Sequence, residues 1–481
     1  MLTTLMSLVI FKVGTVHGFF YGDDFLVYKS HNTPGGYSNS FLSSFVQQGG
    51  GKYRPLFTPL LNLIFSWHGN SYEAFHFYQI LLLTLCALIF AAISFKLTQN
   101  GLITILSPVL VLASRFNWYG QTAVHGIMEL LAIAWFLLSI YFLISWTETY
   151  KSGFFYLAVL TLSASSFTHE RYVLAPVIIW RVLLFARHIR LNAEIRTRQI
   201  SVLLLIPLFN WAVKTYIIHV SFFNGGGEAS VLSSSGFMIV HRLVASFFGV
   251  LGFSSGVNDY FTKSGWGLQD PWGRNALSDW SRYFRIILVL VMILYFIYII
   301  RHKRVSNDKN MDDKKKSDET RRLIIIAAFF GSILPAATVI SRVEGRWLFG
   351  PELLFWLLLI SFIKAIERRK LRLLSTMLIS IALLLSISGR QKYDQFSYDR
   401  RLAINVMSRA SLDAPEKLNW SLTIKSNEVN PWMFGYGASF SQLKNPPDFV
   451  LFNSESCPRP CLEIETYEGD IQSRWNTKTH D

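Results

Sequence analysis

Long apolar runs recur along this chain and constrain its fold more than any other feature. Residues 77–95, FYQILLLTLCALIFAAISF, and residues 283–300, YFRIILVLVMILYFIYII, each match the 17–25 residues or so that a helix needs to cross roughly 30 Å of hydrocarbon. Only 16% of the 481 residues are charged, against about 25% in a soluble domain. The reading is an all-α polytopic membrane protein. Spans fall near 1–20, 75–96, 101–117, 124–146, 153–168, 172–186, 200–219, 284–300, 323–341, 348–365 and 372–388, about eleven transmembrane helices in all. The first carries Lys12. It lacks a basic n-region and a small-residue cleavage site, so it reads as a span and not as a cleavable signal peptide.

Basic residues set the expected orientation. The segments 187–198 (RHIRLNAEIRTR), 301–322 and 367–372 (ERRKLR) are Lys/Arg-rich and read as cytoplasmic, with 301–322 a charged linker. Residues 21–74 and 220–282 then become a first and a large outer loop. The N-terminus is expected in the cytoplasm and the C-terminus outside it. The net charge of +15 follows mostly from this topology, with anionic membrane lipids as its partner. Nucleic acid is not expected, because the basic clusters are split among short loops without interleaved aromatic platforms.

Composition changes after the membrane part, 1–390. Residues 391–481 are polar and carry an amphipathic stretch, RRLAINVMSRA (400–410). Alternating runs follow at 418–425 and 448–452, which predicts a small α+β extracytoplasmic domain. Cys457 and Cys461 in CPRPC are disulfide candidates. A zinc half-site would need a second Cys/His pair, and none is near in sequence. Cys86 lies inside a span and reads as packing.

Ionisable residues within or beside spans are functional candidates, and here they gather on the expected outer side. Asp23 and Asp24 follow the first span in FFYGDDFLVY. Lys52 and Arg54 precede a short apolar helix. His125 and Glu129 stand at the mouth of the fourth span. His169, Glu170 and Arg171 form a tight turn, and Arg342, Glu344, Arg346 and Glu352 lie between the ninth and tenth spans. Each group also has a plainer reading, as a solvated helix end, a hydrophilic turn, a structural hydrogen bond or a lipid anchor. Taken as one constellation, they supply a carboxylate base to activate an acceptor and cations to hold a departing phosphate. Asp23, Asp24 and Glu170 could alternatively hold a divalent cation, Mg or Mn. Phosphate-binding, dinucleotide, nucleophile-elbow and zinc-protease motifs are absent from the sequence.

In order along the chain, YGDDF, KYRPLFTPLLNLIF, FHFYQILLLTLCALIF, HGIMELLAIAWFLLSIYFL, SSFTHERYVLAPVIIW and EGRWLFGPELLFWLLL resemble the GT-C superfamily. Those are polyprenyl-phosphate-sugar-dependent glycosyltransferases, including protein O-mannosyltransferases and bacterial lipid A aminoarabinose transferases. The resemblance implies amphipathic helices in the first outer loop (41–68) and an acidic catalytic base at Asp23 or Asp24. It also implies donor-phosphate binding by Arg54, His169, Arg171, Arg342 and Arg346, with Glu170, His125 and Glu344 in the substrate site. His169 replaces the Lys usual in relatives, and Trp347 replaces their usual Tyr. The implied activity moves a sugar from a lipid phosphate to a glycan, lipid or protein at the outer face of a bacterial inner membrane. Two other readings are an O-antigen polymerase or ligase, using His241, Arg242, Arg274 and Arg282 of the large loop, and a lipid-linked sugar flippase.

Overall fold

The computed structural model describes residues 53–69, 71–112, 114–117, 120, 123–185, 197, 199–219, 240, 243–244, 246–247, 250, 313–338, 345–365, 405–414, 420–425, 446–454, 460–467 and 470–476. The spans expected near 1–20, 284–300 and 372–388 lie outside these residues.

The described chain is mostly helical. Its helices are α1 (Phe57–His68), α2 (Tyr72–Thr98), α3 (Gly101–Leu112), α4 (Gly126–Thr149), α5 (Ser152–Thr168), α6 (Ala175–Phe185), α7 (Leu205–Ala212), α8 (Asp313–Thr338) and α9 (Phe349–Ala365). A further helix, α10, covers residues 405–413. Among the described residues three helical stretches are long and apolar enough to cross a membrane: Glu73–Thr98, Gly126–Thr149 and Gln199–Ile217. Phe77 and Leu81 on the first, Leu208 and Phe209 on the third, and Leu160 on the shorter apolar helix α5 are exposed. So much large apolar surface is what lipid would cover, and we read the chain as a membrane protein.

Local chemistry sets the helix ends. The Ser71 hydroxyl accepts from the Ala74 N–H at the start of α2, and Asn100 Oδ1 accepts from Leu102 N–H and Ile103 N–H at the start of α3. These side chains satisfy donors that a first turn leaves unpaired. α2 ends in left-handed Gln99 and α4 in left-handed Tyr150. The amphipathic α1 buries Phe57, Leu61, Ile64 and Phe65 while Trp67 stays exposed. It packs against the start of α2 and α4.

Two elements differ from the sequence reading, and a third, 200–219, keeps its expected span as Gln199–Ile217 but with mixed helical geometry. The run 101–117 is not one helix: α3 stops at Leu112 and a 3-10 turn covers Arg115–Asn117. There the Ser114 hydroxyl accepts from Phe116 N–H, a local bond that competes with helix continuation. The run 200–219 is a 3-10 turn, Val202–Leu204, then α7, then a π-helical segment, Val213–Ile217. Pro207 lacks the N–H that would bond back toward the 3-10 turn. The charged linker 301–322 is helical from Asp313 onward, as the first turns of α8. Arg321 fixes it there, bonding the Lys96 carbonyl at 3.2 Å and Glu148 at 3.2 Å.

One core joins α2 to α6, α8 and α9. Gly331 of α8 lies so close to α6 that a Cβ there would sit 2.9 Å from the Cα of Ala175. Small residues permit such close approach where helices pack in lipid. α2 and α4 run from one end of the bundle to the other. At the far end Lys96, Glu148 and Arg321 meet, with Lys96 Nζ 2.6 Å from Glu148. The near end holds the starts of α2, α4, α6 and α9 and the end of α5.

The C-terminal unit is α+β. Strands β1 (Ser421–Lys425), β2 (Phe449–Phe452), β3 (Cys461–Tyr467) and β4 (Asp470–Asn476) form a mixed sheet of order β2-β1-β3-β4. β1 is parallel to β2 and β3, and β4 is antiparallel to β3. Val406, Met407 and Ala410 of α10 share a core with Trp420, Leu422, Ile424, Leu462 and Ile464. The alternation puts residues 422 and 424 on one face. Cys461 is buried and disulfide-bonded; Cys457 lies outside the described residues.

Candidate functional site

The near end is organised by the turn between α5 and α6. α5 stops at Thr168 because His169 adopts an extended backbone, φ −145° and ψ 126°. Its N–H still closes the helix on the Ser165 carbonyl at 2.9 Å. A single 3-10 turn, Glu170–Tyr172, follows. Ser166 Oγ reaches back to the Tyr172 carbonyl at 3.2 Å, and the Tyr172 ring lies 4.7 Å from that of Phe136 in α4. These ties hold His169, Glu170 and Arg171 inward, at 2%, 4% and 3% exposure. Three consecutive ionisable residues buried together require partners.

The partners come from distant parts of the chain. Arg54, just before α1, donates from Nη2 to Glu170 Oε1 at 2.6 Å and from Nε to Glu170 Oε2 at 2.9 Å. Arg171 Nη2 donates to Glu129 Oε1 in the first turn of α4. His169 sits between the two acids, Nε2 3.5 Å from Glu129 and Nδ1 3.5 Å from Glu170. Arg171 Nη2 also lies 2.8 Å from His169 Nε2. An arginine only donates, and the Arg171 backbone N–H also donates to His169 Nδ1 at 3.3 Å, so Arg171 presents donors to both ring nitrogens. The guanidinium of Arg171 stands 5.3 Å from the centre of the Trp347 ring, in the 3-10 turn Gly345–Leu348 before α9.

Burial, and then the positive charge of Arg171, lower the His169 pKa to about 4, against the pull of both acids. His169 is therefore neutral at pH 7. Burial opposes ionisation of Glu170, but the positive charge and hydrogen bonds of Arg54, with Lys214 nearby, outweigh it and hold the carboxyl well below its ordinary value. With His169 neutral, the described cluster has three cations, Arg54, Arg171 and Lys214, facing two carboxylates, Glu129 and Glu170.

Of the residues expected from sequence, the structure thus brings together Arg54, His169, Glu170 and Arg171. His125, one turn before Glu129, lies beside them, its ring 5.9 Å from Phe57. Arg346 lies in the same turn as Trp347; its side chain is outside the described ones. Asp23, Asp24, Arg342 and Glu344 are outside the described residues. Arg54 and Arg171, expected to hold a phosphate, are each already engaged by a carboxylate. Glu170, expected as a metal ligand beside Asp23 and Asp24, has both oxygens bonded to Arg54. Among the described residues no group of three or more His, Cys, Asp or Glu could hold a metal.

Two participants were not singled out beforehand. Lys214, 2% exposed in the π-helical segment, acts electrostatically on Glu170. An ionisable residue in the middle of the run 200–219 was a legible signal. Ser114 donates its hydroxyl to the buried Glu352 in the first turn of α9, a pairing that no sequence pattern announces.

No family model and no curated protein matches the chain. Among solved structures, the Archaeoglobus fulgidus oligosaccharyltransferase, crystallised with a tethered acceptor peptide containing the NVT sequon, aligns with 94% of this chain. The alignment has a TM-score of 0.43 and 11% identity, and it spans 63% of that protein's length.

Proposed function

We propose that the chain is a membrane glycosyltransferase of the GT-C type, moving a sugar from a polyprenyl phosphate to a glycan, lipid or protein acceptor. One observation carries the reading. Arg54, Glu129, His169, Glu170, Arg171, Lys214 and Trp347 converge at one end of an apolar helical bundle. Charges kept dry beside lipid-facing helices are costly, and they suit a substrate with an apolar tail and a charged head. The ordered sequence resemblance supports the same class.

In the proposed reaction the acceptor hydroxyl gives its proton to Asp23 or Asp24. Its oxygen attacks the sugar C1, and the C1–O bond to phosphate breaks with inversion. Polyprenyl phosphate then leaves as an anion. Arg54 and Arg171, held by Glu170 and Glu129, and Lys214 beside Glu170 would together set the positive field that faces the leaving group. The near end of the bundle is assigned to the outer face, in a bacterial inner membrane.

The test is transfer by the purified protein in lipid nanodiscs from radiolabelled undecaprenyl-phosphate hexoses, scored as released undecaprenyl phosphate. Asp23→Asn and Asp24→Asn together should abolish release while the protein stays monodisperse. Full activity in that double variant overturns the assignment of the base, and a labelled sugar moved across the membrane with its glycosyl bond intact overturns the enzyme reading.

A further inference from the structure

Asn210 is buried within the apolar run of α7, 1% exposed, and among the described residues neither its Nδ2 nor its Oδ1 has a hydrogen-bond partner. The neighbouring face of the same helix is open, with Leu205, Leu208 and Phe209 exposed. Lipid cannot satisfy an amide, and leaving one unpaired in a dry setting is costly. Lys214 is one turn further on, buried in the π-helical segment that continues α7 and electrostatically linked to Glu170. The Phe209 ring packs 5.7 Å from Phe167, two residues before His169. Phe167 in turn lies 6.0 Å from Tyr53, next to Arg54. Asn210 therefore stands level with the charge cluster.

We infer that Asn210 selects the sugar, its amide pairing with two adjacent hydroxyls of an uncharged glycosyl unit. The inference rests on the glycosyl-transfer reading above and adds the substrate class. An amide offers donors on nitrogen and an acceptor on oxygen. An anion has acceptors only and would leave Oδ1 unpaired. A pair of hydroxyls, each able to donate and accept, satisfies both ends. The cluster's arginines are held by carboxylates, so discrimination among sugars falls to a neutral group. Sites that hydrogen-bond a substrate hydroxyl reject analogues lacking it far more strongly than apolar pockets reject a size change.

The experiment uses farnesyl-phosphate glucose, galactose and mannose, and the monodeoxy analogues of the best of the three, with wild type, Asn210→Leu and Asn210→Ser. In wild type, removing one particular hydroxyl should lower kcat/KM by about 10⁴-fold. Asn210→Leu should lose a comparable factor with the parent sugar and lose nothing further with that deoxy analogue. Its melting temperature should not fall, because an unpaired buried amide has been replaced by an apolar side chain of similar size. If Asn210→Leu fails to fold, Asn210→Ser carries the same comparison. Unchanged discrimination in the folded variants overturns the assignment of Asn210 and leaves glycosyl transfer standing. Failure of wild type to use any of the hexose phosphates overturns both.

Discussion

Arg54 grips both oxygens of Glu170 across 116 residues of chain, at 2.6 and 2.9 Å. This fork joins the segment before α1 to the turn after α5. Removing one partner strands a buried charge, whereas replacing both with apolar groups can be neutral. Glu170→Leu alone should cost about 3 kcal/mol, and Arg54→Met with Glu170→Leu should recover most of it. Thermal unfolding of the detergent-purified variants checks this; additive losses in the double variant would show that the two side chains do not act as a pair.

The neutral state of His169 ties the site to pH. Its folded pKa of about 4 lies below the ordinary value near 6.5, so the unfolded chain binds the proton more readily. Stability is therefore full above about pH 6.5 and declines as pH falls toward 4, by about 3 kcal/mol at 1.36 kcal/mol per unit. Glu170, with its lowered pKa, adds a loss of the same sign below its ordinary range. Glu129 and Glu170 face the ring, and Arg171 opposes its protonation. Unfolding midpoints of wild type should drop between pH 6.5 and 4, while His169→Gln should show a much flatter profile over that interval.

Gly350 leaves room for a specific atom. A Cβ at this position would lie 2.6 Å from the Tyr172 hydroxyl and 3.6 Å from Cζ. Tyr172 is buried against Phe136 and has little freedom to move aside. Gly350→Ala should destabilise by about 1–3 kcal/mol, the usual scale for overpacking, and should disturb the turn that carries His169 to Arg171. Tyr172→Phe removes the clashing oxygen, so the double variant should be more stable than Gly350→Ala alone in a thermal melt.

Cys461 is disulfide-bonded and Cys86 is free; with three cysteines in the chain, the expected partner is Cys457. Non-reducing peptide mapping should find the two in one linked fragment, with Cys86 alkylated only after unfolding. An alkylated Cys457 in the native, unreduced protein would contradict this pairing.

Hydropathy made much of the membrane part readable, because span length is set by bilayer thickness. α2, α4 and α5 run close to the apolar runs that announce them. Where polar side chains bond locally, as Ser114 does after α3, the apolar run continues but the helix does not. The charge clusters around residues 54, 129 and 170 were visible as exceptions to hydropathy. Their pairing was not, since Arg54 could equally have met a phosphate, and only the fold decides that it meets Glu170. Lys214 passed unnoticed because a single cation scarcely changes the hydropathy of its run. Strand alternation announced β1 and β2, whereas the order β2-β1-β3-β4 depends on non-local pairing that a linear pattern does not encode.

At the end of the bundle away from the site, Glu148 of α4 is bonded to Lys96 of α2 and Arg321 of α8, and Arg321 also caps the Lys96 carbonyl. A three-way ionic knot of this kind behaves as a fulcrum. Helices tethered there splay more readily at the opposite extremity, so breathing of α2, α4 and α8 would loosen the packing around His169 before it loosens the far end. Spin labels at positions 71 and 126 should report broader distance distributions than labels at 98 and 149, and Glu148→Gln should erase that asymmetry.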